Sequence, residues 1–594
     1  MKNWYNSNKG EVDALREKSA RLKQNVELAI SVDIKEQQLL ADEQRMLNRI
    51  MPPAGSFFDP DSKNHCMQDT RADLIETLVS FAVSEDTSQR LFLLSGIAGC
   101  GKSSVATSVA NSLHQRDCLL GSFFFQRDSE KTRIPANFLH TVAYSIASRH
   151  EPYKKALMEV LKKDTMVENK GLSIQFDALL RKPLSEMLKI SSTSASYPSS
   201  NRAIVIDALD ECDDPQSVSS YLAEIVSLAP WLKVIVTSRP LEDIETDLGR
   251  AGYMTHLDLF TVDASEDILK FTQSRFAPGG PLHQLQSRVT EEEIQALAKQ
   301  SHRLFIWIKT VLAYLDNFAF ASKKLEELKS ILSSGAAANP EKELDQLYLR
   351  VLRSVAGISP DYQDAVKNLV GFLYATSRNQ SLPCRGLHAF IPTPVTPEDL
   401  GGLRSKLAAV VTIDPKTEVL QVCHPSFLDF VASEARSQEF WMKPEVLDMI
   451  MTERCLSLLK AGQNSDACGQ DSNHDQIPAL KQQIPQELRY SALYWLDHLL
   501  RTQTSGSSDE KLIDACEFLN HGGLLYLLDV LNLVSEFKAA AQVLRKISDV
   551  ISKTVGQSTR RPEAELFSRI RLLTIGRVSR FMFALLIPPS LIYV

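Results

Sequence analysis

Leu91-Phe92-Leu93-Leu94-Ser95-Gly96-Ile97-Ala98-Gly99-Cys100-Gly101-Lys102-Ser103 carries an apolar run directly into a glycine-rich turn closed by lysine and serine. Gly96, Gly101, Lys102 and Ser103 stand at the G-x-x-x-x-G-K-[ST] spacing. Each residue type answers a physical need. Glycines let successive backbone N–H groups turn inward and approach phosphate oxygens with no Cβ in the way. A helix starting near Lys102 adds the positive end of its dipole. Lys102 reaches the outer phosphates, and the Ser103 hydroxyl is placed for a magnesium ion. Val105, Val109 and Leu113 continue at helical spacing. The expected fold is therefore α/β, a doubly wound parallel sheet with a P-loop NTPase core.

A metal site needs a second anchor. Residues 202–206, Arg-Ala-Ile-Val-Ile, form a strand of the buried type that ends on Asp207. At the carboxyl edge of a parallel sheet, Asp207 is expected to hold magnesium through a water, and either Asp210 or Glu211 to orient or deprotonate the attacking water. Asp213 and Asp214 suit an acidic turn that opens a helix. A third strand over 232–237 ends in Ser238-Arg239-Pro240. Its arginine could read a γ-phosphate through its planar fork, or simply pair with Glu242 or Asp243.

These pieces do not stand alone. Cys66-Met67-Gln68-Asp69-Thr70-Arg71 precedes the loop and Ser122-Phe123-Phe124-Phe125 follows it. Farther on come Asp207-Ala208-Leu209-Asp210-Glu211-Cys212, Thr237-Ser238-Arg239-Pro240, Leu304-Phe305-Ile306-Trp307 and Leu344-Asp345-Gln346-Leu347-Tyr348. His424-Pro425-Ser426-Phe427-Leu428-Asp429-Phe430 and Tyr490-Ser491-Ala492-Leu493-Tyr494-Trp495 complete the set. In this order they resemble the NACHT domain, a branch of the STAND class of signalling NTPases, in the form abundant in filamentous fungi. Carried over residue by residue, the resemblance implies nucleotide contacts at Gly101, Lys102, Ser103, Asp207 and Arg239; the loop itself adds Gly96, Gly99 and Ser104 as nucleotide-binding candidates, with Ser103 and Asp207 as the metal side. Asp210, Glu211 and Arg239 are the catalytic candidates, ATP or GTP with Mg2+ the expected cofactors, and a switch of this class is expected to self-associate on activation. Where the family usually has a glycine before Leu304-Phe305-Ile306-Trp307, this chain has Arg303.

The expected organisation is a helical N-terminal region over 1–55, the NTPase domain over 56–260, a helical domain over 261–340, a winged-helix-like domain over 341–436, and a helical C-terminal region over 437–594. In 1–55, Leu15, Leu22, Val26, Ala29, Leu39, Leu40 and Leu47 recur at roughly helical spacing, which suits a packing helix or an arm for an unknown protein partner. Residues 191–201 are a serine-rich loop and 333–340 a linker. The winged-helix expectation rests on Leu344, Leu347 and Val351 along a first helix and a strand over 417–422. His424 follows that strand and is either a satisfied core histidine or a nucleotide contact.

Bulk properties fit a regulatory ATPase of the cell interior. Of 594 residues, 44% are hydrophobic and 23% charged, enough for large cores. A net charge of −7 argues against a dedicated nucleic-acid binder. Nine scattered cysteines without a C-x-x-C pair suit reduced cytoplasmic thiols. Cys100, inside the loop, is either a reactive thiol or a small residue that fits. The start of the chain carries no signal-peptide pattern. Residues 581–594 are apolar apart from Pro588-Pro589-Ser590 and too short for a membrane span, which takes about twenty residues. Family members commonly continue into WD repeats; no such periodicity appears, so a repeat-lacking or truncated form is expected. The function expected is a nucleotide-dependent switch in innate-immunity-like or cell-death signalling that hydrolyses slowly. The alternative is a non-catalytic scaffold in which nucleotide is structural.

Overall fold

The computed structural model describes residues 40–53, 55–60, 64–191, 202–334, 339–392, 396–414, 417–464, 484–502 and 508–533, with single positions between 17 and 38 and between 543 and 547. Most of the N-terminal region, the serine-rich loop from 192 to 201 and the apolar tail lie outside these residues, as does half of the linker.

Five parallel strands form the central sheet: β1 Leu91–Ser95, β2 Leu119–Phe124, β3 Ala203–Asp207, β4 Lys233–Ser238 and β5 Met254–Asp258, in the order β2-β3-β4-β1-β5. β1, β3 and β4 are buried along their whole length, as central strands of a parallel sheet covered on both faces must be. β5 is only half-buried and its register is set beside β1, Leu91 opposite Met254 and Ser95 opposite Asp258. Ser95 also faces Ser238 on β4, and Phe124 on β2 faces Asp207. The carboxyl ends of all five strands thus share one edge, with β4 inserted between the loop-bearing strand and the acid-bearing strand.

Period-two alternation splits the core. Phe92 and Leu94 point into one cluster, together with α1 (Ala72–Val83) and α2 (Lys102–Gln115). Leu91 and Leu93 point into the other, with α3 (Pro135–Arg149), α4 (Glu151–Lys163) and α5 (Pro215–Leu228). On α2 the buried residues include Val105, Val109 and Leu113, at the spacing expected from sequence, with Ala106, Thr107 and Ala110 beside them.

The Phe92/Leu94 cluster does not stop at the sheet. It continues through α6 (Ser265–Phe276), α7 (Glu291–Gln300), α8 (Phe305–Asp316) and α9 (Pro340–Ala356) into α10 (Pro360–Ser377). A two-stranded antiparallel hairpin follows, β6 Val411–Ile413 with β7 Leu420–Val422, and then α11 (Pro425–Ala432). The strand expected over 417–422 is present as the shorter β7. α12 (Pro444–Asn464) packs lengthwise on α13 (Gln486–Thr502) around a buried polar cluster. There His498 Nδ1 meets Asp448 Oδ1 at 2.7 Å, its Nε2 meets the Tyr490 hydroxyl at 2.8 Å, and Arg378 donates to Asp448 Oδ2 at 2.9 Å. Buried charges are tolerated when they are paired and hydrogen-bonded in this way. Among the described residues no helix is long and apolar enough to cross a membrane.

Candidate functional site

The site is assembled at the carboxyl edge of the sheet, where β1, β4 and β3 end side by side. After Ser95 the chain turns through Gly99 (φ 84°) and Gly101 (φ 104°), left-handed conformations that glycine adopts without strain. Gly101 is the residue before α2, so Lys102, Ser103 and Ser104 open that helix. Lys102 Nζ donates to the carbonyls of Gly96 (2.6 Å) and Ile97 (3.1 Å), which curls the loop around its own cation. Ser103 is exposed on the same turn.

The loop is also gripped from outside. The Ile306 amide, at the start of α8, donates to the Gly99 carbonyl (3.1 Å), and a Cβ on Gly99 would lie 2.0 Å from Ile306 Cγ2. Gly99 therefore serves packing as much as phosphate approach. A Cβ on Gly96 would stand 2.8 Å from Cys100 Sγ. Cys100 is buried and free, with its thiol pushed up by that burial; it is the small residue that fits. Arg71, buried behind the loop, lies 5.8 Å over the Phe305 ring and 3.9 Å from Asp267. Arg303 sits at φ 69°, directly after His302 at φ 47°. This left-handed turn is the reason a glycine suits position 303.

Asp207 ends β3 fully buried. Burial raises its carboxyl, and hydrogen bonds from the Thr237 and Ser103 hydroxyls oppose the rise. Thr237 also accepts the Ala208 amide (2.9 Å), holding Ala208 at φ 55° immediately after the acid. The next two acids divide. Asp210 accepts the Arg239 amide (3.0 Å) and its Oδ2 lies 3.1 Å from Arg239 Nε; the side chain is buried and committed to β4. Glu211 Oε2 accepts the Arg127 amide (2.9 Å). Burial, with Asp210 adding to it, pushes the Glu211 carboxyl up to about 7, against the pull of the Arg127 amide. Asp214 caps α5 by accepting the Ser217 amide (3.1 Å), the acidic helix opening foreseen for this turn.

Arg239 pairs with neither Glu242 nor Asp243. Beyond Asp210, its Nη1 reaches Asp429 Oδ2 on α11 at 2.8 Å, and Arg127 Nη1 reaches Asp429 Oδ1 at 2.8 Å. Burial alone would raise the Asp429 carboxyl; the two guanidinium groups reverse this and hold it below the usual carboxylate range. His424 begins the same helix. Its Nδ1 accepts the Ser426 amide (3.2 Å), and its Cε1 lies 3.8 Å from where a Cβ of Gly99 would be, so the ring abuts the phosphate loop. Burial, with Lys102 and Arg239 nearby, brings the imidazole down to about 3, which keeps it neutral.

The structure thus brings Gly96, Gly99, Gly101, Lys102, Ser103, Ser104, Asp207, Asp210, Glu211 and Arg239 to one sheet edge. Sequence reasoning left four contacts without a role: Thr237, Arg127, Arg71 and Asp429. Asp429 lies in the quoted His424–Phe430 segment, and an acid set between Leu428 and Phe430 in an otherwise apolar run was the available signal.

The family model described as Nephrocystin 3, N-terminal, matches residues 71–239, a span that begins on Arg71 and ends on Arg239. The vegetative incompatibility protein HET-E-1 of Podospora anserina is 24% identical over 503 residues, covering 79% of this chain and 35% of that protein. The chain therefore spans about a third of the length of the curated relative it matches. Among solved structures, the Aeropyrum pernix ORC1 protein in complex with DNA aligns at 12% identity over 64% of this chain and 96% of that one, with a TM-score of 0.26, too low to carry any argument. The two sequence matches are in line with the resemblance to fungal NACHT-type NTPases that the motifs carry, and the family-model match spans the phosphate loop, the acidic turn and Arg239.

Proposed function

We propose that this chain is a nucleotide-dependent signalling switch whose site binds ATP or GTP with magnesium, hydrolyses it slowly, and couples the bound state to self-association. The observation that carries this is the Arg239 side chain, held between Asp210 of the NTPase sheet and Asp429 of α11. Arg239 directly follows β4, the strand between the loop-bearing and Asp207-bearing strands, where an outer phosphate would lie. A phosphate there competes with Asp429 for the same guanidinium, so bound triphosphate and the seating of α11 are energetically linked.

The donor set fits a magnesium-bound triphosphate. Consecutive loop amides and the α2 N-terminus suit the phosphate oxygens. Lys102 is the cation for the outer phosphates once it exchanges the Gly96 and Ile97 carbonyls for them. Ser103 and Asp207, already joined through a hydrogen bond, suit a hydrated magnesium ion, which would neutralise charge on the phosphates. Asp210 is engaged by Arg239, so Glu211, near neutral pKa and partly buried beside the same edge, is the better candidate to orient and deprotonate water. His424 abuts the loop as a neutral imidazole and is suited to a phosphate contact that reports where α11 sits.

HET-E-1 is by its printed name a vegetative incompatibility protein, and that name is in keeping with innate-immunity-like or cell-death signalling for the present chain. Calorimetry tests the binding step. Lys102→Ala is expected to weaken magnesium–triphosphate binding by roughly tenfold to a hundredfold, the loss of a charged hydrogen-bond partner. Equal binding by parent and variant rejects the assignment.

A further inference from the structure

The residues that follow β2 touch more of the molecule than any role given so far requires. At one end, the Arg127 amide donates to Glu211 Oε2 (2.9 Å) and the Arg133 carbonyl accepts the Asp213 amide (3.0 Å), so the segment borders the acidic turn on both sides. At the other end it meets three separate C-terminal elements. Arg127 Nη1 donates to Asp429 on α11 (2.8 Å). Ser129 forms an antiparallel bridge with Gln380, and Arg133 Nη1 donates to the Arg378 carbonyl (2.9 Å), both just past α10. The Tyr494 hydroxyl of α13 donates to Glu130 Oε2.

We propose that residues 126–133 are the element through which the C-terminal helices set the Glu211 carboxylate, with Arg127 as the positioning residue. This rests on the reading of Glu211 as the group that orients water. One residue carries both connections, by its backbone to Glu211 and by its side chain to Asp429. A shift of α11 drags the Arg127 side chain and with it the peptide that holds the carboxylate, and N–H···O bonds weaken steeply as their angle closes. The charged groups facing Glu211 are Asp207 and Asp210 from its own strand and turn and Arg127 from the β2 segment. Arg239 from β4 reaches Asp210, and Asp429 from α11 holds both arginines. Among these, the Arg127 guanidinium draws the Glu211 carboxyl downward, so removing it should send the carboxyl higher.

The test uses the full chain and the triphosphate, ATP or GTP, that binds it in calorimetry. Single-turnover hydrolysis is followed against pH for the parent, Arg127→Ala, Arg127→Lys and Glu211→Gln, with nucleotide affinity measured at each pH. Arg127→Ala is expected to move the acidic limb of the rate profile, measured at saturating triphosphate, upward by about half to one pH unit. Arg127→Lys should return most of that shift, which a purely structural role for the side chain would not do. An unmoved limb in Arg127→Ala, in a chain whose hydrolysis Glu211→Gln abolishes, overturns the proposal. Parent-rate hydrolysis by Glu211→Gln removes the Glu211 reading and the proposal together, and shows itself in that variant alone.

Discussion

Glu211 illustrates what one side chain costs a fold in order to be useful. Its carboxyl is raised from 4.5 to about 7 by burial, so the folded chain holds a proton there that the unfolded chain has already lost between those values. More protons on the folded state mean that stability falls as pH rises through that window. Glu211→Gln mimics the protonated form. The variant is therefore expected to match the parent below about pH 4.5 and to become progressively more stable than it up to about pH 7, a trend read from urea-unfolding midpoints across pH. A flat difference across that range would mean that the carboxyl is not raised. At this scale Lys102, Ser103 and Asp207 were legible because their identities depend on neighbours a few residues away. Thr237, Arg127 and Asp429 were not. Their polar partners lie 30 residues off for Thr237, 84 for Arg127 and 302 for the Arg127–Asp429 pair, and nothing in local pattern reports such distances.

Among the elements, β1, β3 and β4 could be read directly because strands buried on both faces are apolar throughout. β5 could not: Met254-Thr255-His256-Leu257-Asp258 is a half-exposed edge whose His256 Nε2 meets Ser95 Oγ at 2.8 Å, and its polar residues hide the pattern. The phosphate loop and the turn before α8 form a unit that phosphate chemistry alone does not foresee, since Ile306 packs where a Gly99 side chain would be. Two substitutions should act in opposite directions here. Gly99→Ala collides with Ile306 and adds a Cβ at φ 84°, and should lower stability by about 2 kcal/mol or more. Arg303→Gly relieves a left-handed residue at φ 69°, at the cost of a more flexible unfolded chain and a 3.8 Å pairing with Asp263, and should raise stability by up to about 1 kcal/mol. Denaturant unfolding of the two variants beside the parent gives both signs in one experiment.

For the whole molecule, the decisive contact is Asp429, whose two oxygens hold Arg127 and Arg239 to α11. Asp429→Asn keeps the shape but removes the charge that binds both guanidinium groups. It is expected to loosen α11 from the sheet edge, to lower the concentration of a non-hydrolysable triphosphate analogue needed for self-association by roughly tenfold, and to leave secondary structure intact by circular dichroism. Light scattering on parent and variant checks this; identical monomeric behaviour at micromolar concentration, with and without the analogue, would favour the scaffold alternative.

The unequal reach of the two cores has a consequence for synthesis. The cluster built on Leu91 and Leu93 draws its described members from residues 47–248, whereas the one built on Phe92 and Leu94 extends to residue 547. As the nascent chain leaves the ribosome, one side of the sheet can be sealed several hundred residues before the other. During that interval Phe92, Leu94, Val205 and Ile235 belong to a greasy wall only partly roofed by α1 and α2. A half-made chain is thus sticky on one side only, the side on which its own later helices must land before any neighbouring polypeptide does.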